Sequence, residues 1–190
     1  MADQLYLSYW LNSFSEFSMF RPYEKILKLF PYSKLSKSDA TFRVVPVSYA
    51  EPSVFEQAFK LPVDASAILT SAKEFQNGDC CYRLETEWDL WQYDGSWKLD
   101  PSPVALCCLG PQFEEDLGEN LRIEFGIDTH FLPQPDLPDN FYMTQSNIKS
   151  LLKLVHDLDD GLSVSKRLLW TESGENFAEK LQEALSEART

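Results

Sequence analysis

The sequence predicts an α+β protein in which helices pack mainly on one face of an antiparallel or mixed β-sheet. Hydrophobic residues make up 44% of the 190 residues and charged residues 25%, as is typical of a globular protein. Some segments alternate apolar and polar side chains with the period of two of a strand, and others carry apolar residues at helical spacing. Runs of strands mixed with flanking helices favour this class over a regularly alternating parallel α/β fold.

The first elements follow from alternation and from proline. A strand is predicted over Leu5 to Leu11 and a helix over Phe20 to Phe30, with Pro22 in its first turn and Pro31 after its end. The strand pattern places alternate side chains on opposite sides of the sheet. One face would carry Leu5, Leu7, Tyr9 and Leu11, and the other Tyr6, Ser8 and Trp10.

Three further elements are expected before residue 75. Thr41 to Tyr49 reads as a strand, and Pro46 within it suggests a sheet edge or a bulge because proline cannot donate to the ladder. Glu51 to Phe59, with Pro52 in its first turn, is expected to be a short helix. Asp64 to Lys73 is expected to be another.

The strongest local pattern predicts a β-hairpin. Asp94-Gly95 supplies a two-residue turn, and the chain returns through Trp97 and Leu99. The strand before the turn alternates strictly between apolar and charged positions. The apolar set is Tyr82, Leu84, Thr86, Trp88 and Leu90, and the charged set is Arg83, Glu85, Glu87 and Asp89.

Pro101 and Pro103 are expected to introduce a separate strand, Val104 to Leu109. A short helix or turn over Gln112 to Leu117 and a strand over Leu121 to Ile127 follow. We expect one domain over residues 1–190, with 100–103 as the only plausible subdivision.

The last third is predicted to hold a loop, two helices and a strand. Leu132 to Asn140 contains Pro133, Pro135 and Pro138 and reads as an extended connection, although a polyproline II ligand is an alternative. Ser146 is expected to cap a helix to Leu158, with Gly161 after its end. A strand, Leu162 to Trp170, and a helix, Ser173 to Ala188, complete the chain. The apolar face of the first helix would be Ile148, Leu151, Leu152, Val155 and Leu158.

Charge and composition exclude several classes of function. Seventeen basic and thirty acidic residues give a net charge of −13, which repels nucleic acid and anionic membranes. The longest apolar run, Val104 to Leu109, is far shorter than the roughly 20 residues that span a bilayer. The charge is uneven, since residues 21–43 are mainly basic and residues 79–128 mainly acidic. No nucleic-acid or membrane partner is expected.

The four cysteines form two adjacent pairs, Cys80-Cys81 and Cys107-Cys108. Neighbouring residues of a strand point to opposite faces, so each pair offers at most one thiol to a shared site, and no metal site is expected. The sequence shows neither a positive N-terminal region nor an apolar segment after it, so we expect a cytoplasmic protein with reduced thiols.

Catalytic patterns are weak. Phosphate-loop, dinucleotide, serine-hydrolase and zinc-protease motifs are missing from the sequence, and no cofactor is expected. A hydrolase or lyase remains an alternative, in which carboxylates converge with His130 or His156. The candidate carboxylates are Glu85, Glu87, Asp157, Asp159 and Asp160.

The density of aromatic residues supplies the leading functional hypothesis. Phe, Tyr and Trp together make up 14% of the chain, and strand alternation places some of them opposite the apolar core face. We therefore expect a non-enzymatic binding or interaction module, with a small apolar or planar ligand or a homodimer as its partner. An acidic inhibitor of a basic protein is the other alternative. The candidate ligand-binding residues are Tyr6, Trp10, Trp88, Trp91 and Trp97.

Overall fold

The computed structural model describes residues 2–134, 136–137 and 139–187, which form one seven-stranded sheet and four α-helices. The strands are β1 (Gln4–Leu11), β2 (Ala40–Pro46), β3 (Phe55–Phe59), β4 (Cys80–Tyr93), β5 (Trp97–Leu109), β6 (Leu121–Ile127) and β7 (Val164–Thr171). The helices are α1 (Phe20–Leu29), α2 (Ala65–Glu74), α3 (Asn140–Gly161) and α4 (Phe177–Glu187), and a 3₁₀ helix (Asp128–Phe131) follows β6. Among the described residues, no helix is both long and apolar enough to cross a membrane.

The strands lie in the order β3-β2-β4-β5-β6-β1-β7, and every neighbouring pair is antiparallel. Three consecutive pairs, β2 with β4, β4 with β5 and β5 with β6, form the centre of the sheet. The first strand of the chain, β1, then inserts between β6 and the last strand, β7. The predicted α+β class is confirmed, with a purely antiparallel sheet.

The main core lies between the sheet and its helices. Leu5, Leu7 and Tyr9 of β1 are fully buried there, as alternation predicted. All four helices contribute to this same cluster, so we call this side the helix-covered face. The helix residues buried in it include Tyr23 and Ile26 of α1, Ile68 of α2, Leu151 of α3 and Phe177 of α4.

The opposite side of the sheet, here the helix-free face, holds a much smaller apolar cluster. Loops 47–54 and 110–120 fold over one end of this face, and Tyr49 of the first packs edge-on against Phe113 of the second, with ring centroids 5.0 Å apart. The backbone N–H of Glu114 donates to the carbonyl of Val47 and joins the two loops. The cluster consists of Val45, Cys81, Ala105, Cys107, Leu109 and Phe113.

The helix expected over Glu51 to Phe59 is wrong, because Phe55–Phe59 form the edge strand β3. This segment pairs with β2 from Ala40↔Phe59 to Val44↔Phe55. Phe55 and Phe59 both pack edge-on against Phe42 of β2. The contacts across the sheet edge therefore override the local helical pattern.

Proline positions also differ from expectation. β2 lies between β3 and β4 and is not an edge strand, but Pro46 is its last residue, beyond the point at which β3 pairing stops. Pro101 and Pro103 lie inside β5, which runs unbroken through residues 100–103. They are tolerated because β6 pairs only with Ala105 to Cys108, so no strand needs their missing N–H groups on that side.

Several boundaries are shifted. The hairpin turn has three residues, 94–96, and Gly95 adopts a φ of +71°, which glycine accommodates without strain. Helix α3 begins at Asn140, six residues before Ser146, and Gly161 is its last residue. Leu152 is 52% exposed, and Leu154 occupies the buried position in its place.

Residues 112–117 form turns and bends, without a helix. Helix α4 begins at Phe177, later than Ser173, and Ala188 lies outside the described residues. Pro135 and Pro138 of the expected extended loop also lie outside them. The remaining predicted elements, β1, α1, α2, β6 and β7, are confirmed.

Replacing Phe125 by alanine should lower the free energy of unfolding by about 3–5 kcal/mol, because its ring fills the core between Trp88 and Phe131. Phe17→Ala is the matched control, since this ring is 89% exposed and its loss should change stability by less than about 0.5 kcal/mol. Urea unfolding followed by circular dichroism measures both values. Equal effects of the two variants would contradict this placement of the core.

Candidate binding site on the helix-free sheet face

Two neighbouring rows of side chains cross the helix-free face, because strand pairing aligns residues that are distant in sequence. The first row, here the arginine row, has basic side chains at three of its positions. The second, here the glutamate row, contains acidic and aromatic side chains. The arginine row is Glu56, Arg43, Arg83, Cys107, Arg122 and Ser8. The glutamate row is Thr41, Glu85, Ala105, Glu124, Tyr6 and Trp170.

Arg43 and Arg83 are direct cross-strand partners, an arrangement that places like charges side by side. Glu85 from the glutamate row neutralises both. Its Oε2 lies 2.6 Å from Nη1 of Arg43, and its Oε1 lies 3.1 Å from Nε of Arg83. Arg83 also reaches Glu124, with Nη2 2.7 Å from Oε2, and Arg43 reaches Glu56 at 2.8 Å. The two rows thus hold each other in place through bridging carboxylates.

Between Glu85 and Glu124 stands Ala105, whose small side chain leaves the centre of the glutamate row shallow. An open basin of about 530 Å³ lies here, bounded by side chains from β1, β4, β5 and β6 and by Glu172 just after β7. We call it the acidic basin. Its principal lining residues are Gln4, Tyr6, Arg83, Glu85, Glu124 and Glu172.

The lining of the acidic basin carries three carboxylates against one guanidinium. Within the described part of the chain, Glu172 has no ion-pair partner for its side chain. The pKa of Tyr6 is raised, first by burial and then by the negative charges of Glu124 and Glu172. The phenol of Tyr6 therefore stays neutral and adds no charge to the basin.

An aromatic stack forms one wall of this site. Tyr6 and Trp170 lie with ring centroids 4.5 Å apart and planes inclined by 27°. The guanidinium carbon of Arg122 stands 5.8 Å from the centre of the Tyr6 ring. The indole N–H of Trp170 donates to Ser8 Oγ at 3.0 Å, which fixes the orientation of the stack.

Arg122 is held by two carboxylates where loop 110–120 meets the sheet. Its Nη2 lies 2.9 Å from Oε2 of Glu115, and it also pairs with Glu119. Ser8 Oγ donates to Glu119 Oε1 at 3.3 Å, and the backbone N–H of Glu119 donates to Glu115 at 3.0 Å. One arginine thus faces two acids in a half-buried setting.

The pKa of Glu119 is raised to about 7, chiefly by burial and then by a hydrogen bond with the side chain of Glu115, and these outweigh the attraction of Arg122. Its Oε2 is buried and meets no donor among the described residues. When Glu119 is protonated, its carboxyl group can donate a hydrogen bond to Glu115. The pair therefore holds one proton near neutral pH, and a single arginine then balances the remaining charge.

The cysteines are divided between the two faces, as alternation predicted. Cys81 and Cys107 are buried under the loops of the helix-free face, whereas Cys80 and Cys108 lie in the main core. A hydrogen bond to Cys81, followed by burial, raises the pKa of Cys107 well above its ordinary value. In the residues that the structure describes, no three His, Cys, Asp or Glu side chains come together as a metal site.

The aromatic residues singled out from the sequence lie in four different places. Tyr6 lines the acidic basin. Trp10 lies on the same face outside it, donating to the carbonyl of Leu117 and lying 4.3 Å beneath Nζ of Lys166. Trp88 is 1% exposed in the core, and Trp91 and Trp97 line a separate cavity at the far end of the hairpin.

Of the groups required for the hydrolase hypothesis, His156 and Asp160 contact each other, but they do so on the exposed surface of α3 and not in a cleft. His156 is 72% exposed on α3, with Nε2 3.4 Å from Asp160 of the next turn. His130 lines the cavity at the far end of the hairpin, and none of the described residues that line this cavity is acidic. Glu87 accepts from Ser36 and Asp89 from the backbone N–H of Lys34. The two histidines and the acid row thus serve separate local structures.

Comparison of the chain with protein-family models, curated proteins and solved structures found no match. Sequence reasoning missed several residues of this site, namely Gln4, Arg83, Glu124, Trp170 and Glu172. For Trp170, the sequence offered only the alternation of the last strand. That this strand lies beside β1 depends on a pairing between residues far apart in the chain, which the alternation does not reveal.

Because the pKa of Glu119 is raised in the folded state, its contribution to stability is fully present below about pH 4.5 and is lost as the pH rises through about 7. Glu119→Gln should remove this loss, so the variant should gain up to about 3 kcal/mol relative to wild type between those pH values. Glu183→Gln, at an exposed position of α4, is the control. Urea unfolding across pH 4–8 measures the difference, and parallel profiles for wild type and Glu119→Gln would contradict the shared proton.

Proposed function

We propose that the protein is a non-catalytic binding module that docks a basic segment of a partner protein on its helix-free face. A lysine or arginine side chain of the partner would enter the acidic basin. The observation that carries this proposal is the excess of carboxylates over cations around a basin of about 530 Å³. A cationic group is the complement of such a surface.

The basin retains acceptor capacity after its internal ion pairs are counted. Each carboxylate oxygen accepts more than one hydrogen bond, so Glu124 can hold a second donor beside Arg83. Glu172 contributes a further carboxylate at the rim. By contrast, Arg83 already donates to Glu85, Glu124 and the sulfur of Cys107. The site is therefore better suited to a guest that donates hydrogen bonds than to one that accepts them.

The aromatic stack supports the same class of guest. Tyr6 offers an aromatic surface at the edge of the basin, next to the carboxylates of Glu124 and Glu172. Lysine and arginine combine an apolar stem with a charged end, so their stems can lie against a ring while the charge meets a carboxylate. The stack therefore complements the acids without adding charge.

The charge of the whole chain favours association with a basic partner. The net charge of −13 attracts basic partners from a distance, and clustered acids focus this field. The acidic segment 79–128 supplies Glu85 and Glu124 to the basin and Glu115 and Glu119 beside it. This proposal joins the aromatic binding module to the acidic inhibitor, which were separate alternatives in the sequence. A two-fold homodimer through this face is disfavoured, because it would oppose two acidic surfaces.

Glu172→Gln and Glu124→Gln should each weaken binding of a lysine- and arginine-rich peptide by about fivefold, because each removes one carboxylate from a partly exposed site. Isothermal titration with this peptide measures the change. Wild-type binding should also weaken steeply with added salt. A glutamate-rich peptide of equal length is the ligand control and should not bind.

The matched protein control is Glu183→Gln, which changes the net charge equally at an exposed position of α4. It should leave the affinity within about twofold of wild type. An equal loss of peptide affinity in all three variants would show that only the overall charge matters. It would reject the acidic basin as the binding site. Association of the protein with itself through this face, detected by light scattering, would also reject the proposal.

A further inference from the structure

A second cavity, of about 310 Å³, lies at the far end of the β4–β5 hairpin. The hairpin extends well past β6, since β6 pairs with Ala105 to Cys108 whereas β4–β5 pairing continues to Tyr93↔Trp97. The 3₁₀ helix and the start of α3 lie beside this overhanging end. We call the space between them the hairpin-end cavity.

The 3₁₀ helix is fixed at both of its ends. Asp128 is fully buried and accepts from the backbone N–H of Asp3 at 3.0 Å and from Nζ of Lys180 at 2.9 Å. Phe131 is buried against Trp88, with ring centroids 5.8 Å apart. The two residues between these anchors, Thr129 and His130, line the cavity. This wall is therefore held rigidly before any ligand arrives.

Buried Asn147 joins three walls of the cavity. Its Oδ1 accepts from the backbone N–H of Trp91 at 2.9 Å, and its Nδ2 donates to the carbonyl of Trp91 at 2.9 Å and to that of His130 at 2.8 Å. One side chain thus ties α3 to the end of β4 and to the 3₁₀ helix. These three walls are therefore joined to one another without a ligand, as is usual in sites that bind small molecules.

None of the described residues lining this cavity carries a charge at neutral pH. Its aromatic walls are Trp91, Tyr93 and Trp97, and its polar groups are amides and hydroxyls, such as Gln92 and Thr129. His130 also lines the cavity, and burial lowers its pKa against the opposing effect of Asp128, which favours the neutral imidazole. In a chain with 30 acidic and 17 basic residues, such a lining selects against ions.

We propose that the hairpin-end cavity binds an uncharged planar molecule, such as an aromatic ring system with an amide substituent. The rings provide stacking surfaces, and the amide and hydroxyl groups provide hydrogen bonds. A volume of about 310 Å³ is large enough for a bicyclic ring. The cavity shares no lining residue with the acidic basin, so this inference is independent of the proposed docking of a basic partner.

Three probes of one shape and different charge test the proposal. Naphthalene-2-carboxamide is neutral, naphthalene-2-carboxylate is an anion and naphthalen-2-ylmethylammonium is a cation. Isothermal titration should show the neutral amide binding at least about tenfold more tightly than either ion, since the cavity offers no counter-charge. Equal binding of all three, or no binding of the amide at millimolar concentration, would overturn it.

Two variants locate the bound amide. Trp97→Ala removes an aromatic wall near the hairpin turn and should weaken binding about tenfold. Thr129→Phe keeps all the walls but fills the space, and should weaken binding at least as much. Trp10→Ala is the matched control on the helix-free face and should bind as wild type does. Unchanged binding in Thr129→Phe, with the fold confirmed by circular dichroism, would place the ligand elsewhere and reject the cavity.

Discussion

Strands β4 and β5 are paired continuously from Cys81↔Leu109 to Tyr93↔Trp97, and both candidate sites depend on this long hairpin. Near its inner end, the pairing sets Glu85 opposite Ala105, which creates the floor of the acidic basin. At its outer end, it carries Trp91 and Trp97 beyond the rest of the sheet, where the 3₁₀ helix closes the hairpin-end cavity. A shift of register by one residue would move the side chains of the shifted strand to the other face and separate each pair.

The ion pairs of the helix-free face fix the positions of side chains and contribute little to the free energy of unfolding. The Arg43–Glu56 pair is largely exposed, and such surface pairs each contribute roughly 0–1 kcal/mol. Arg83 is more buried, and the attraction of its two glutamates is offset by the cost of removing all three charges from water. The network instead fixes the positions of Glu85 and Glu124. A guest then meets carboxylates that are already ordered, which lowers the entropy cost of binding.

Sequence reasoning succeeded where the controlling contacts are local. The alternation of residues 82–90 predicted β4, and the alternation of residues 5–11 separated Tyr6 from Leu5 and Leu7. It failed where the partner lies far along the chain. Phe55–Phe59 reads as a helix until it is placed against Phe42, and Trp170 has no visible role until β7 pairs with β1. Both rows of the site consist of such distant pairings.

The acids of segment 79–128 are used in two opposite ways along the hairpin. On the helix-free face, Glu85 and Glu124 keep acceptor capacity toward the basin. Three other acids are bound by local donors: Glu87 by Ser36, Asp89 by Ser33 and the backbone N–H of Lys34, and Asp128 of the 3₁₀ helix by Asp3 and Lys180. None of the described residues that line the hairpin-end cavity is acidic, so an acidic chain encloses an uncharged space there. The same strand pairing therefore supports one surface that attracts cations and one cavity that excludes ions.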